Sequence, residues 1–290
     1  MPVRKDAAGN RSVEAQVDVP GTPQDVWNAI ATGPGISQWF VPSELEGRIG
    51  GTAVSHFASD GSMDAIATIT AWEPPRRFVA EAPGGPGTVA TEWIVEAKSG
   101  GLCSVRVVHR WFSTSDDWDD QFDAHSYGWI SFFRLLRLYL THFPGQHGSA
   151  FQLLVPSSEP LADAWRKLVE PLGLANATEQ QPVVTPSDTQ AFEGVVERTG
   201  PQDHPELAVR LDQPAPGFAH FLALPMGAMT YLSMRFFLFG DDAARIAKRE
   251  EPKWRTWLKS ISHRPRSRTA SVDETDNCVS PAAPTMLSEL

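Results

Sequence analysis

Between Gly101 and Phe143 the spacing of apolar positions changes period once. Cys103, Val105, Val107, His109 and Trp111 alternate with Ser104, Arg106 and Arg110, which predicts a strand over 102–112 with one wet face. From Trp118 the apolar residues recur every three or four positions, through Phe122, His125, Trp129, Phe132, Leu136, Leu140 and Phe143. That is one stripe of a helix, and Pro144-Gly145 ends it. Ser115 or Asp116 can cap this helix. The acidic run Asp116 to Asp120 then sits at the positive end of its dipole, so capping accounts for the run without a bound cation. At 1.5 Å per residue the helix reaches roughly 40 Å, enough to lie across a whole sheet.

Upstream, Ser12 to Val19 alternates as a first strand. Residues 23–31 put Val26, Trp27 and Ile30 on one helical face, and Gly33-Pro34-Gly35 breaks that helix before Ile36 to Phe40. Strands are predicted at 51–58, 63–72, 77–82 and 88–97, separated by Asp60-Gly61, Pro74-Pro75 and Pro83 to Gly87. This order of strand, two short helices, strands and one long helix is an α+β plan, with the helices on one face of a curved antiparallel sheet. Its completion within 12–143 predicts a unit that folds by itself.

The key stretch then recurs. Arg110, Phe112, Asp116, Asp117 and Trp129 have identical counterparts in Arg235, Phe237, Asp241, Asp242 and Trp254, an offset of 125 (235 − 110). Trp165 corresponds to Trp27 at an offset of 138 (165 − 27), so the second copy is shorter and has no match to Trp39-Phe40. The predicted organisation is a first domain at 12–143, a linker at 144–159, a degenerate second copy at 160–260 and a disordered tail at 261–290. Residues 175–186 read as a loop in place of a missing hairpin. The final helix of the copy is expected to start after Pro252 and to bury Trp254, Trp257, Leu258 and Ile261. With its shorter sheet, the copy should hold little or no cavity and pack on the first domain through Phe218 to Leu224 and Thr230 to Phe239.

Several signatures together carry a family resemblance. They are Thr22-Pro23-Gln24-Asp25-Val26-Trp27 opening a helix, Gln38-Trp39-Phe40, the Gly50-Gly51 hairpin and the turn Trp72-Glu73-Pro74-Pro75-Arg76-Arg77-Phe78. Gly100-Gly101 before the last strand and Gly128-Trp129 in the long helix complete the set. In this order they resemble the SRPBCC (START-like, helix-grip) superfamily, and within it bacterial proteins similar to the C-terminal domain of the heat-shock protein 90 ATPase activator. The resemblance implies a helix-grip fold with a ligand cavity between sheet and long helix. Trp39, Phe40, Trp93, Trp111, Trp129 and Phe133 are the aromatic candidates to line it, with His56, His109 and His125 as polar ones and Gly128 supplying either a close approach or cavity space.

Composition narrows the chemistry. A net charge of −10 argues against a nucleic-acid or anionic-membrane surface. The N-terminus has no apolar core and no segment approaches about 18 apolar residues, so an intracellular, cytoplasmic protein is expected. Cys103 and Cys278 are far apart and suggest neither a disulfide nor a metal site. Nucleotide, zinc-protease and serine-hydrolase motifs are lacking, so no cofactor is expected. Three histidines facing one cavity would suggest a metal, but with no assignable carboxylate behind them hydrogen-bonded or rim histidines are expected instead. Alternation puts Thr91, Trp93 and Val95 on the opposite face from Glu92, Ile94 and Glu96, so Glu92 is expected to be solvated; Asp64 is the other carboxylate placed in a strand. Three functions follow in order: a non-enzymatic binder of a small apolar or aromatic molecule, a protein-binding module as the activator resemblance implies, and an aromatase/cyclase-like or hydrolase-like enzyme acting through His109, His125 or Glu92. The sequence does not specify an oligomeric state.

Overall fold

The computed structural model describes residues 4–5, 11–58, 61–84, 87–111, 119–186 and 190–262. The first domain opens with β1 (Arg4–Lys5) and β2 (Arg11–Pro20), followed by α1 (Pro23–Ile30) and α2 (Gly33–Ile36). Six strands follow, β3 (Ser43–Leu45), β4 (Thr52–His56), β5 (Asp64–Glu73), β6 (Arg77–Gly84), β7 (Gly87–Ala97) and β8 (Leu102–Trp111), and then α3 (Asp119–His142). All eight strands form one antiparallel sheet in the order β1-β2-β8-β7-β6-β5-β4-β3. The inward-facing Val105 and Val107 of β8 and Trp93 of β7 are buried with Phe133, Leu136 and Leu140 of α3, so the sheet grips the helix as the change of period predicts.

Local chemistry fixes the entry to this sheet. Thr22 and Asp25 form a reciprocal capping box, with Thr22 N donating to Asp25 Oδ2 at 2.9 Å and Asp25 N to Thr22 Oγ1 at 3.2 Å. Helix α1 ends before Gly33-Pro34-Gly35, as the sequence suggested, and these residues themselves begin α2. The Thr32 hydroxyl accepts from Gly35 N at 3.0 Å, and proline suits a first turn. A Cβ at Gly35 would lie 1.9 Å from Asn28 O, so the glycine lets α2 press against α1.

The second domain contains β9 (Ser149–Ser157), α4 (Leu161–Val169), β10 (Pro182–Val184), β11 (Glu193–Thr199), β12 (Glu206–Gln213), β13 (Gly217–Met226), β14 (Met229–Leu238) and α5 (Ala243–Ser262). Its sheet runs β10-β11-β12-β13-β14-β9, so the first strand again lies beside the last, as β2 lies beside β8. The fold is α+β, a tandem of helix-grip units.

Three expectations need correction here. Residues 144–159 are not a simple linker, because Ser149 to Ser157 pair along β14 from Leu238 to Thr230 and supply the copy's first strand. The copy therefore begins before residue 160; β9 follows β2 by 138 positions (149 − 11), the offset already read from Trp27 and Trp165. The stretch 175–186 includes a strand, β10. The final helix starts at Ala243 and carries Pro252 inside it. Residues 263–290, expected as tail, lie outside the described residues.

Both faces of the second sheet are covered, which explains its nearly continuous apolar strands. One face packs on its own helix, where Phe236 lies 4.9 Å and Phe192 6.1 Å from Trp254 between ring centroids. Trp254, the counterpart of Trp129, is thus packed among rings of its own domain. The other face packs on the far side of α3, with Phe143 stacked on Phe239 at 4.3 Å and Ala208, Phe218 and Phe237 in the same core as Leu135 and Leu138.

A charged group is buried in that seam. Glu206 is 3% exposed and receives hydrogen bonds from Ser131 and Arg134 of α3, with His220 Nε2 at 3.4 Å. Burial pushes the Glu206 pKa up, but hydrogen bonds from His220 and Ser131 and the charge of Arg134 outweigh it and hold the carboxyl at about 2.

Candidate functional site

The inner face of the first sheet bounds a cavity of about 110 Å³. One wall consists of small side chains: Ala53 on β4, Ala65 and Ala67 on β5, and Ala80 and Ala82 on β6. Register places them together, since Ala53 pairs with Ala67 and Ala65 with Ser55. Because side chains at alternate positions share a face, each alanine withdraws volume from the same side of the sheet.

The opposite wall is aromatic. Trp93 and Trp129 meet edge to face with centroids 5.3 Å apart, and Phe40 lies parallel to Trp129 at 6.1 Å. Between the two walls are Thr91 and His109, which pair across β7 and β8 and join by a hydrogen bond of 2.7 Å between Thr91 Oγ1 and His109 Nδ1. His109 is 2% exposed and 6.2 Å from Trp129. Ser43, Glu44 and Ser55 stand where β3 and β4 meet the cavity, so this rim is more polar than the interior.

Of the residues expected here, Phe40, Trp93, His109 and Trp129 line the cavity. Trp39 and Phe133 lie behind those rings as buried supports: Trp39 Nε1 donates to Ala29 O at 2.9 Å, and Phe133 is 5.9 Å from Trp93. Gly128 makes no close approach, since an added Cβ would meet no described atom within 4 Å. The side chains of Trp111 and His125 lie outside the described residues.

His56 is a correction. It pairs with Asp64 at the strand ends, with Nδ1 2.9 Å from Asp64 Oδ1, and does not join His109. One position separates it in register from the inward Ser55, and a single step along a strand turns a side chain to the other face. Glu92 is another correction. It faces away from the cavity as alternation required, yet it is buried rather than solvated, held by Arg77 Nε at 2.6 Å and Arg110 Nη1 at 2.8 Å. Burial acts to raise its pKa, but the two guanidinium groups outweigh that and keep the carboxyl below its ordinary range.

The alanine wall was missed, although Ala65-x-Ala67 and Ala80-x-Ala82 show the alternation that could have revealed it.

A family model described as polyketide cyclase / dehydrase and lipid transport matches residues 10–134. The first domain is of the SRPBCC type. Among solved structures, CalU16 from Micromonospora echinospora is similar at 21% identity with a TM-score of 0.39, covering 48% of this chain and 82% of its own. The di-domain ARO/CYC protein BexL of the BE-7585A biosynthetic pathway shows 16% identity and a TM-score of 0.41, covering 88% of this chain and 100% of its own. The Aha1 dimer from Colwellia psychrerythraea shows 19% identity and a TM-score of 0.37, covering 44% and 95%. No curated protein sequence matches the chain. Among the described residues, no helix is long and apolar enough to cross a membrane.

Proposed function

We propose that the first domain binds a small apolar or aromatic molecule between the alanine wall and the Trp93–Trp129 pair and releases it unchanged. The observation that carries this reading is the cavity's composition: small and aromatic side chains surround one interior polar pair, Thr91–His109. Such a lining favours an apolar body with a single hydrogen-bonding group. An apolar cavity of roughly 150 Å³ takes up benzene, so about 110 Å³ suits one ring, with any larger part extending past Ser43 and Glu44.

The test is a titration of an apolar fluorescent dye and a set of single-ring compounds against wild type, Ala80→Leu and His109→Ala. Ala80→Leu fills the cavity and should weaken every ligand at least tenfold, while overpacking costs about 1–3 kcal/mol of stability. His109→Ala should weaken phenols more than hydrocarbons, by about 2- to 12-fold, the worth of one neutral hydrogen bond. Equal affinity in all three proteins removes the cavity reading and favours a surface that binds protein.

A second reading is acid–base chemistry on a bound substrate, since the matched family's description includes polyketide cyclase and dehydrase. His109, a titratable group on the cavity wall and already hydrogen-bonded to Thr91, favours it. In that case His109→Ala costs roughly 100-fold or more in turnover at nearly unchanged affinity.

A further inference from the structure

Arg235 is 7% exposed, and its Nε and Nη1 atoms are buried without a hydrogen-bond partner among the described residues. Its guanidinium carbon lies 4.9 Å from the centroid of the Phe132 ring on α3. Directly across the strand pair is His220, whose Nδ1 is also buried and unpartnered. Three orphaned polar atoms therefore occupy neighbouring positions in the seam between α3 and the second sheet. Natural proteins rarely leave such groups unmet.

Charge and hydrogen-bonding capacity define what fits. Glu206 is already engaged by Arg134 and Ser131, so its charge is balanced without Arg235. Burial holds the His220 pKa below its ordinary value, so the ring is neutral near pH 7. Ser131 gives its hydroxyl proton to Glu206, so His220 Nε2 carries the ring proton toward Glu206 and Nδ1 is left as an acceptor. The seam thus offers guanidinium donors beside one acceptor. An oxyanion that also bears a hydroxyl satisfies both, whereas a bare anion satisfies only the arginine.

We propose that the seam at Arg235 and His220 is an anion site for a phosphate-type group in its hydrogen-bearing form, with its charged oxygens on Arg235 and its hydroxyl donating to His220 Nδ1. This site lies between the two domains and does not depend on the cavity's ligand.

The full chain's Tm is measured at pH 7 and constant ionic strength in chloride, sulfate, inorganic phosphate or methyl phosphate, for wild type, Arg235→Met and Arg235→Lys. Phosphate at about a hundredfold excess over its Kd should raise the wild-type Tm by roughly 5 °C or more over chloride. Arg235→Met should lose that shift; should it not fold, Arg235→Lys carries the comparison with a reduced shift. At pH 7 methyl phosphate, whose second pKa is about 6, is mostly the dianion without a hydroxyl, so a response smaller than that to phosphate supports the proposal, and one as large shows that no hydroxyl is read and overturns it. A wild-type Tm that follows ionic strength only, a shift as large in sulfate, or an unchanged shift in the Arg235 variants overturns the proposal.

Discussion

Replacing Glu206 by glutamine should unfasten the two domains. The side chain is buried between Arg134, Ser131 and His220, and glutamine keeps its shape while removing its charge. The carboxyl is held at about 2 against an ordinary value of 4.5. At about 1.4 kcal/mol per pH unit, that lowering corresponds to about 3 kcal/mol. Removing one partner of a buried ion pair typically costs about 3–5 kcal/mol, so the two estimates agree. The pH dependence has a definite sign. A carboxyl with a folded pKa below its unfolded one adds stability that is complete above about 4.5 and is lost as the pH falls toward about 2. Urea unfolding at pH 7 should show Glu206→Gln less stable by about 3 kcal/mol, and a series from pH 6 down should show a smaller acid loss in the variant. A variant within about 1 kcal/mol of wild type with the same acid dependence would refute the reasoning.

Two further outcomes follow from the shared seam and the ring-packed second core. A fragment of residues 12–148 exposes Leu135, Leu138, Tyr139 and Phe143, which the second sheet covers; it should aggregate or melt without cooperativity, contrary to what the element order alone suggests, and a soluble monomer with a sharp melt would show the seam to be dispensable. Trp254→Ala removes a side chain 1% exposed between Phe192 and Phe236 and should cost about 3–5 kcal/mol in urea unfolding; a loss under about 1 kcal/mol would mean that this core collapses freely.

The sequence displayed periodicity well and pairing across distance poorly. Alternation through Cys103 to Trp111 and the stripe through Trp129 to Leu140 were read directly, because strand and helix each impose one period on a continuous segment. Phe40, Trp93, His109 and Trp129 were named for the cavity through the family resemblance, and they line it from just past α2 and from β7, β8 and α3. Strand β9 was overlooked although Phe151, Leu153 and Val155 alternate, because Gly145, Gly148 and Ser157-Ser158 around it read as linker chemistry. His56 was misplaced by one register step, which alternation cannot resolve without its partner strand. Glu92 shows a different limit: its face was correct, but its burial depends on Arg77 and Arg110 from neighbouring strands. The seam of Ser131, Arg134, Glu206, His220 and Arg235 had no local signature at all, since its members come from α3 and three strands of the other domain.

The central claim is that the first domain holds an apolar molecule against the alanine wall, and crystals soaked in 4-iodophenol test it most directly. Iodine marks the ring by anomalous scattering, and the hydroxyl has one interior hydrogen-bonding pair to meet. The account predicts an iodine peak enclosed by Phe40, Trp93 and Trp129, with the hydroxyl toward Thr91 and His109. Iodine only on the outer surface, or a cavity left without the ring at saturating ligand, would contradict it.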